Sequence, residues 1–204
     1  MKKILLLTVL ALALPLAAFA SGSVDFSNSG GTLSGTNSGL TLTGSTLIAV
    51  NGLNGGGLIT GSNLGSVTFT TGALTGGSLQ MGGTFAAGGS FAITGNGSNG
   101  VPNGVIFQGT FSGPVSWTLV TLANGTHNYT LTGTVSGTLG SSGFIANGVT
   151  VQLTINTGRG FFNGKVTVSS GDTNVAVPEP GSLTLLGSGL LGLAGVIRRK
   201  LNIV

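Results

Sequence analysis

Apolar and polar residues alternate strictly in several stretches of this chain: Leu40-Thr41-Leu42-Thr43, Val67-Thr68-Phe69-Thr70, Val115-Ser116-Trp117-Thr118-Leu119 and residues 149–156. Successive side chains of a strand point to opposite faces, so each run gathers its apolar residues on one face and predicts a half-buried β-strand. Further strands are predicted around residues 46–50, 78–81, 84–85, 90–94, 105–111, 128–135 and 164–169, where Thr, Val, Ile and Phe suit a pleated surface. Between the strands stand Asn51-Gly52, Asn96-Gly97, Asn99-Gly100, Asn103-Gly104, Asn124-Gly125, Asn147-Gly148 and Asn163-Gly164. Asn-Gly adopts the positive φ of a hairpin turn more readily than any other pair, so the pattern predicts antiparallel strands in a meander.

No stretch before Pro180 holds apolar residues at helical spacing over three turns, which predicts almost no helix there. One-faced strands must bury that face against a second sheet or by closing into a barrel, and the economical expectation is an all-β fold, an antiparallel β-sandwich or jelly-roll-like domain. A parallel β-helix is the competitor. It requires self-similarity at a short fixed period, whereas related fragments such as Gly31-Thr32-Leu33-Ser34-Gly35 and Gly133-Thr134-Val135-Ser136-Gly137 are isolated and far apart.

Composition narrows the classes further. Cysteine is absent, so no disulfide framework supports the fold, and only 5% of residues are charged. The formal charge of +4 would suggest nucleic acid or an anionic surface, but Lys2, Lys3, Arg198, Arg199 and Lys200 at the chain ends supply more than all of it. Between the ends only Arg159 and Lys165 are basic, too few for the phosphate-facing surface that nucleic-acid binding needs. No nucleic-acid partner is expected.

Residues 1–20 show the three zones of a secretory signal: Lys2 and Lys3, an apolar run over residues 4–14, then Ala18-Phe19-Ala20. The run rises only about 16 Å as a helix, against a hydrocarbon core of about 30 Å. Ala18 and Ala20 form the expected signal-peptidase site, which implies secretion machinery and signal peptidase as partners. At the other end, the prolines of Val177-Pro178-Glu179-Pro180-Gly181 fix φ and withhold helix hydrogen bonds. An uncharged run over residues 183–197 follows, punctuated by Gly187, Gly189, Gly192 and Gly195, and then comes Arg198-Arg199-Lys200. Small residues favour helix packing within a membrane, and a basic cluster directly after an apolar run holds that end in the cytoplasm. The expected organisation is a signal peptide over 1–20, a β-rich extracellular domain over 21–176 and a tail over 177–204, with a helix in each flanking segment.

A Pro-Glu-Pro element, a short Gly/Leu-rich helix and a terminal basic cluster, in that order, resemble the PEP-CTERM sorting tail of Gram-negative bacteria. The resemblance implies an exosortase-type membrane enzyme that recognises Pro178, Glu179 and Pro180 and cleaves near them. Arg198, Arg199 and Lys200 would be the membrane stop, and the tail's helix would hold the chain in the membrane before processing. Proteins of this kind are associated with the cell envelope and exopolysaccharide. A permanent tail anchor is the alternative that the positive-inside pattern alone equally supports.

Catalytic chemistry has little to work with: between residues 21 and 176 the titratable side chains are Asp25, Asp172, His127, Tyr129, Arg159 and Lys165. Two flanking carboxylates would serve a glycosidase, and Asp25 and Asp172 come together only if the first and last strands pair. His127 falls in the turn sequence Asn124-Gly125-Thr126-His127-Asn128 and is expected in a solvated loop. One histidine without cysteine offers no zinc or copper set, and no calcium-loop motif is present, so no metal or cofactor is expected. Trp117 shares its face with Val115 and Leu119, and Tyr129 with Leu131, so both are expected in the core and not on a sugar-stacking surface. The functional expectation is a non-enzymatic surface or exopolysaccharide-matrix protein, with a carbohydrate-binding module as the alternative and an extracellular hydrolase behind both.

Overall fold

The computed structural model describes residues 22–140 and 144–177. They form thirteen strands and a single turn of 3-10 helix, Leu53–Gly55. Eight of the strands close a ring: β1 (Gly22–Ser29), β3 (Gly39–Asn51), β4 (Ile59–Thr70), β7 (Gly88–Asn96), β8 (Asn103–Phe111), β10 (His127–Leu139), β11 (Phe144–Asn156) and β13 (Ser170–Val177). Neighbours run antiparallel around the ring, which β10 closes by pairing with both β8 and β11. The all-β antiparallel class is as expected. The difference lies in closure, because a barrel buries the one-faced strands without a second sheet and leaves no edge in the ring.

The remaining strands are excursions from the ring, and all leave from the same end. β2 (Thr32–Thr36) interrupts the path from β1 to β3, and β5 (Leu74–Ser78) with β6 (Gly82–Phe85) the path from β4 to β7. β9 (Val115–Thr121) lies between β8 and β10, and β12 (Lys165–Thr167) between β11 and β13. β3 and β10 reach far enough to hold the excursions as well as the ring. Gly39–Thr43 of β3 pairs with β2 while residues 46–51 pair with β1. In the same way residues 127–132 of β10 pair with β9 and residues 135–139 with β8. The opposite end carries the tighter connections and both ends of the described chain. The extra layer at one end is what a simple meander lacks.

Local chemistry accounts for the turns. At the β9–β10 hairpin Gly125 takes φ +79° and donates its N–H to Leu122 O at 2.9 Å, while Asn124 Oδ1 accepts from Thr126 N at 3.0 Å and Thr126 Oγ1 at 2.7 Å. Two Asn-Gly pairs are not turns. Asn103-Gly104 opens β8, and Asn147-Gly148 lies inside β11 where the register with β10 slips, so Gly148 at φ +70° forms a bulge.

Inside the ring Phe69, Phe91, Phe107 and Phe111 meet with centroids 5.8–6.3 Å apart. Beneath the excursions a second cluster forms, where Trp117 stacks on Tyr129 at 4.9 Å and packs edge-on to Phe162 at 5.5 Å. The strands present Thr, Ser, Asn and Gly outward, the reverse of a membrane-spanning barrel, whose outer band is apolar. Residues 23–176 form a compact unit with its own core, and every ring strand finds both neighbours within 22–177.

Candidate functional site

The residues singled out for sorting lie outside the described residues: Ala18 and Ala20 before them, Pro178, Glu179, Pro180, Arg198, Arg199 and Lys200 after them. The two predicted flanking helices lie outside as well. Among the described residues no helix is long and apolar enough to cross a membrane.

Within the barrel, the closing of the ring brings Asp25 of β1 and Asp172 of β13 onto one outer face. Asn174 Nδ2 donates to Asp25 Oδ1, and Ser27 Oγ donates to Asp172 Oδ1 at 3.0 Å. These two hydrogen bonds set the carboxylates on a diagonal across adjacent strands. A shallow groove runs along this face past Ser27, Asn28, Gln152, Thr154 and Asp172. A second groove, lined by Gly44, Ser45, Asn63, Gly65 and Asn96, crosses β3, β4 and β7. Both are open troughs of hydroxyl, amide and backbone groups on a convex wall.

His127 is not the solvated loop residue expected. It is the first residue of β10, opposite Thr121, and only 8% exposed. Its Nδ1 lies 3.0 Å from Thr121 Oγ1 and its ring stacks on Phe161 at 4.4 Å. The turn ends two residues earlier than the composition suggested, at Thr126. His127 shares the inward face of β10 with Tyr129 and Leu131, whereas Asp172 faces outward in the row of Thr132 and Gln152. The histidine and the carboxylates are therefore not gathered into one pocket.

Trp117 and Tyr129 are buried, as their parity predicted. Their polar atoms hold loops in place. Trp117 Nε1 donates to Leu79 O at 2.9 Å, Tyr129 Oη donates to Gln80 O at 2.6 Å and accepts from Phe162 N at 3.0 Å. The β5–β6 turn and the loop after β11 are thus tied to one phenol. Phe161 beside it is 48% exposed, with one ring face covered by His127. Sequence reading missed the Phe161-Phe162 pair because it falls between two predicted strands, directly before the turn pair Asn163-Gly164. Two adjacent bulky aromatics in such a stretch were the available signal. Among the described residues every buried side-chain polar atom has a partner, so none points unpaired into a ligand space.

β13 ends at Val177, and beyond it the chain enters the Pro-Glu-Pro element. A family model described as the PEP-CTERM protein-sorting motif matches residues 176–200. This chain carries the PEP-CTERM motif. The PEP-CTERM match takes in Pro178, Glu179, Pro180 and the basic cluster, and marks an exported protein sorted through an exosortase to the cell surface. The PEP-CTERM segment begins within one residue of the end of β13, the last strand of the barrel. No curated protein and no solved structure matches the chain.

Proposed function

We propose that this is a non-enzymatic structural protein of the cell surface or exopolysaccharide matrix of a Gram-negative-type bacterium. In this reading residues 1–20 direct export and signal peptidase cuts after Ala20. The apolar run over residues 183–197 then holds the chain in the inner membrane, with Arg198, Arg199 and Lys200 as the stop. Exosortase reads Pro178, Glu179 and Pro180, cuts near them, and leaves the barrel as the mature, functional part. The observation that carries the reading is the PEP-CTERM match over residues 176–200, which begins where β13 ends; in this reading the cut falls in the Pro-rich segment beside a finished fold.

Three features support a structural role over a catalytic one. Ionisable side chains are scarce, Asp25 and Asp172 sit on an open outer wall with neutral hydrogen-bond donors, and His127 faces inward. The outward hydroxyl and amide groups suit a hydrated polysaccharide environment. A carbohydrate-binding module would gain support from an exposed aromatic platform on a sheet, but Trp117 and Tyr129 are buried and Phe161 stands in a loop.

Mass spectrometry of the C-terminal peptide, from the envelope and secreted matrix of the native host, tests the proposal. The expected peptide ends between Pro178 and Gly181. A mature chain that persists to Val204 overturns cleavage and makes the protein a permanently tail-anchored domain.

A further inference from the structure

The barrel has only four formally charged side chains among its described residues, and none of them is paired within the molecule. Asp25 and Asp172 accept hydrogen bonds from neutral Asn174 and Ser27 on the outer face of β1 and β13. Arg159 and Lys165 lie at the other end of the unit, on the loop after β11 and at the start of β12. Asp25 lies opposite Asn51, at the end of the ring away from the excursions that carry the two cations, and exposed charges separated by more than about 8 Å are largely screened in physiological salt. The domain is neutral overall but has a positive end and a negative flank.

Large apolar side chains are exposed at this positive end, as Leu58, Val105 and Ile145 are elsewhere on the barrel. Phe161 is two residues from Arg159, Met81 at the β5–β6 turn is 67% exposed, and Leu122 stands at the β9–β10 turn. These three loops are held in a fixed arrangement. Tyr129 Oη ties Gln80 to Phe162, His127 N donates to Gly158 O at 2.7 Å, Thr157 N donates to His127 O at 3.0 Å, and the His127 ring supports Phe161. Exposed apolar side chains on loops held in place, with Arg159 and Lys165 on the same segment as Phe161, offer a docking surface, and its charge selects the partner.

We infer that the Arg159–Phe161–Lys165 end docks on the Asp25–Asp172 face of a second copy of this chain. Two positive ends cannot meet face to face without opposing four cations, so a symmetric dimer through the apolar patch is disfavoured. The acidic face supplies the missing charges and presents Asn174, Ser27 and Gln152 around them. Donor and acceptor surfaces are different parts of one molecule, so the contact is head-to-flank and each copy keeps one surface free for the next. Surface ion pairs are individually weak, so assembly is salt-sensitive and favoured where the protein is crowded. The inference does not depend on how the tail is processed.

Sedimentation velocity on residues 21–177, a unit with its own complete core, provides the test. The weight-average mass should rise with concentration in low salt and return to that of the monomer near 1 M salt. The Arg159→Glu/Lys165→Glu variant and the Asp25→Lys/Asp172→Lys variant should each remain monomeric, and an equimolar mixture of the two should associate again. Asp25→Asn/Asp172→Asn keeps the neutral hydrogen-bond geometry and should also be monomeric, with Trp117 fluorescence checking that each variant is folded. Wild-type protein that is monomeric at all concentrations overturns the inference, as does association that charge reversal leaves unchanged. Monomeric protein retained on an immobilised anionic polysaccharide through Arg159 and Lys165 also overturns it, in favour of an anionic polymer.

Discussion

Replacing Tyr129 with phenylalanine removes one oxygen and should release two loops. The ring, its 4.9 Å stack on Trp117 and its packing against Phe162 are retained, so the perturbation isolates the hydroxyl. Without Oη the buried Phe162 N–H loses its acceptor at 3.0 Å, and an unsatisfied buried donor costs about 1–3 kcal/mol. Gln80 O loses its donor at 2.6 Å, but that bond is only partly buried and water can replace it, so its net loss is about 0.5–1.5 kcal/mol. The sum is about 1.5–4.5 kcal/mol, or a fall in Tm of roughly 3–18 °C for a domain of this size. Limited trypsin digestion gives a second readout, because Arg159 lies in the loop that Phe162 anchors. Cleavage there should quicken in Tyr129→Phe under conditions where the fold is intact. A Tm within about 1 °C of wild type with unchanged cleavage would show that the phenol does not hold the loops.

Two further substitutions probe the barrel wall. Gly65 has φ +151°, and a Cβ there would sit 1.9 Å from Thr94 O of the neighbouring strand, so Gly65→Ala should cost about 2–5 kcal/mol from strain and overpacking, measured by urea denaturation. Gly104→Ala meets no atom within 4 Å at φ +101° and should cost less. Asn28 is buried and donates to Ser45 Oγ at 2.7 Å, so Asn28→Asp buries a carboxyl whose pKa in the folded state must rise above the unfolded value of about 3.9. The folded state then holds the proton longer than the unfolded one, and stability falls as pH rises above about 4. Thermal melts at pH 4 and pH 7 should show the variant nearest wild type at pH 4; an equal deficit at both would refute the sign.

The alternating runs at residues 115–119 and 149–156 were legible because packing on one face leaves a period of two in the sequence. Closure was not, because the pairing of β10 with both β8 and β11 leaves no mark in the period of either strand, and the last strand of the ring carries little of that signal. β13 turns Gly171, Thr173 and Val175 inward, and only the last is a large apolar residue. Thr173 is buried all the same, since β1 and β11 flank it on both sides. The misplacement of His127 has a similar cause: a turn composition continued up to a residue whose position is fixed by Thr121 across the hairpin. Phe162 was missed because its partners, Trp117 and Tyr129, are remote in sequence. The PEP-CTERM motif was legible, since a short linear motif needs no tertiary partner to be recognised.

The arrangement of the ends has a mechanical consequence. Gly22 and Val177 leave the barrel at the same end, whereas Arg159 and Phe161 lie at the other. A load applied at the Phe161 loop and resisted at Val177 runs along β13, at right angles to its hydrogen bonds with β1 and β11. Those bonds are then stretched together in shear and must fail nearly at once. Pulling Gly22 and Val177 apart instead would peel the first and last strands one bond at a time, at far lower force. A protein held by its C-terminal strand and loaded from the opposite end is gripped in the direction in which a β-barrel is strongest.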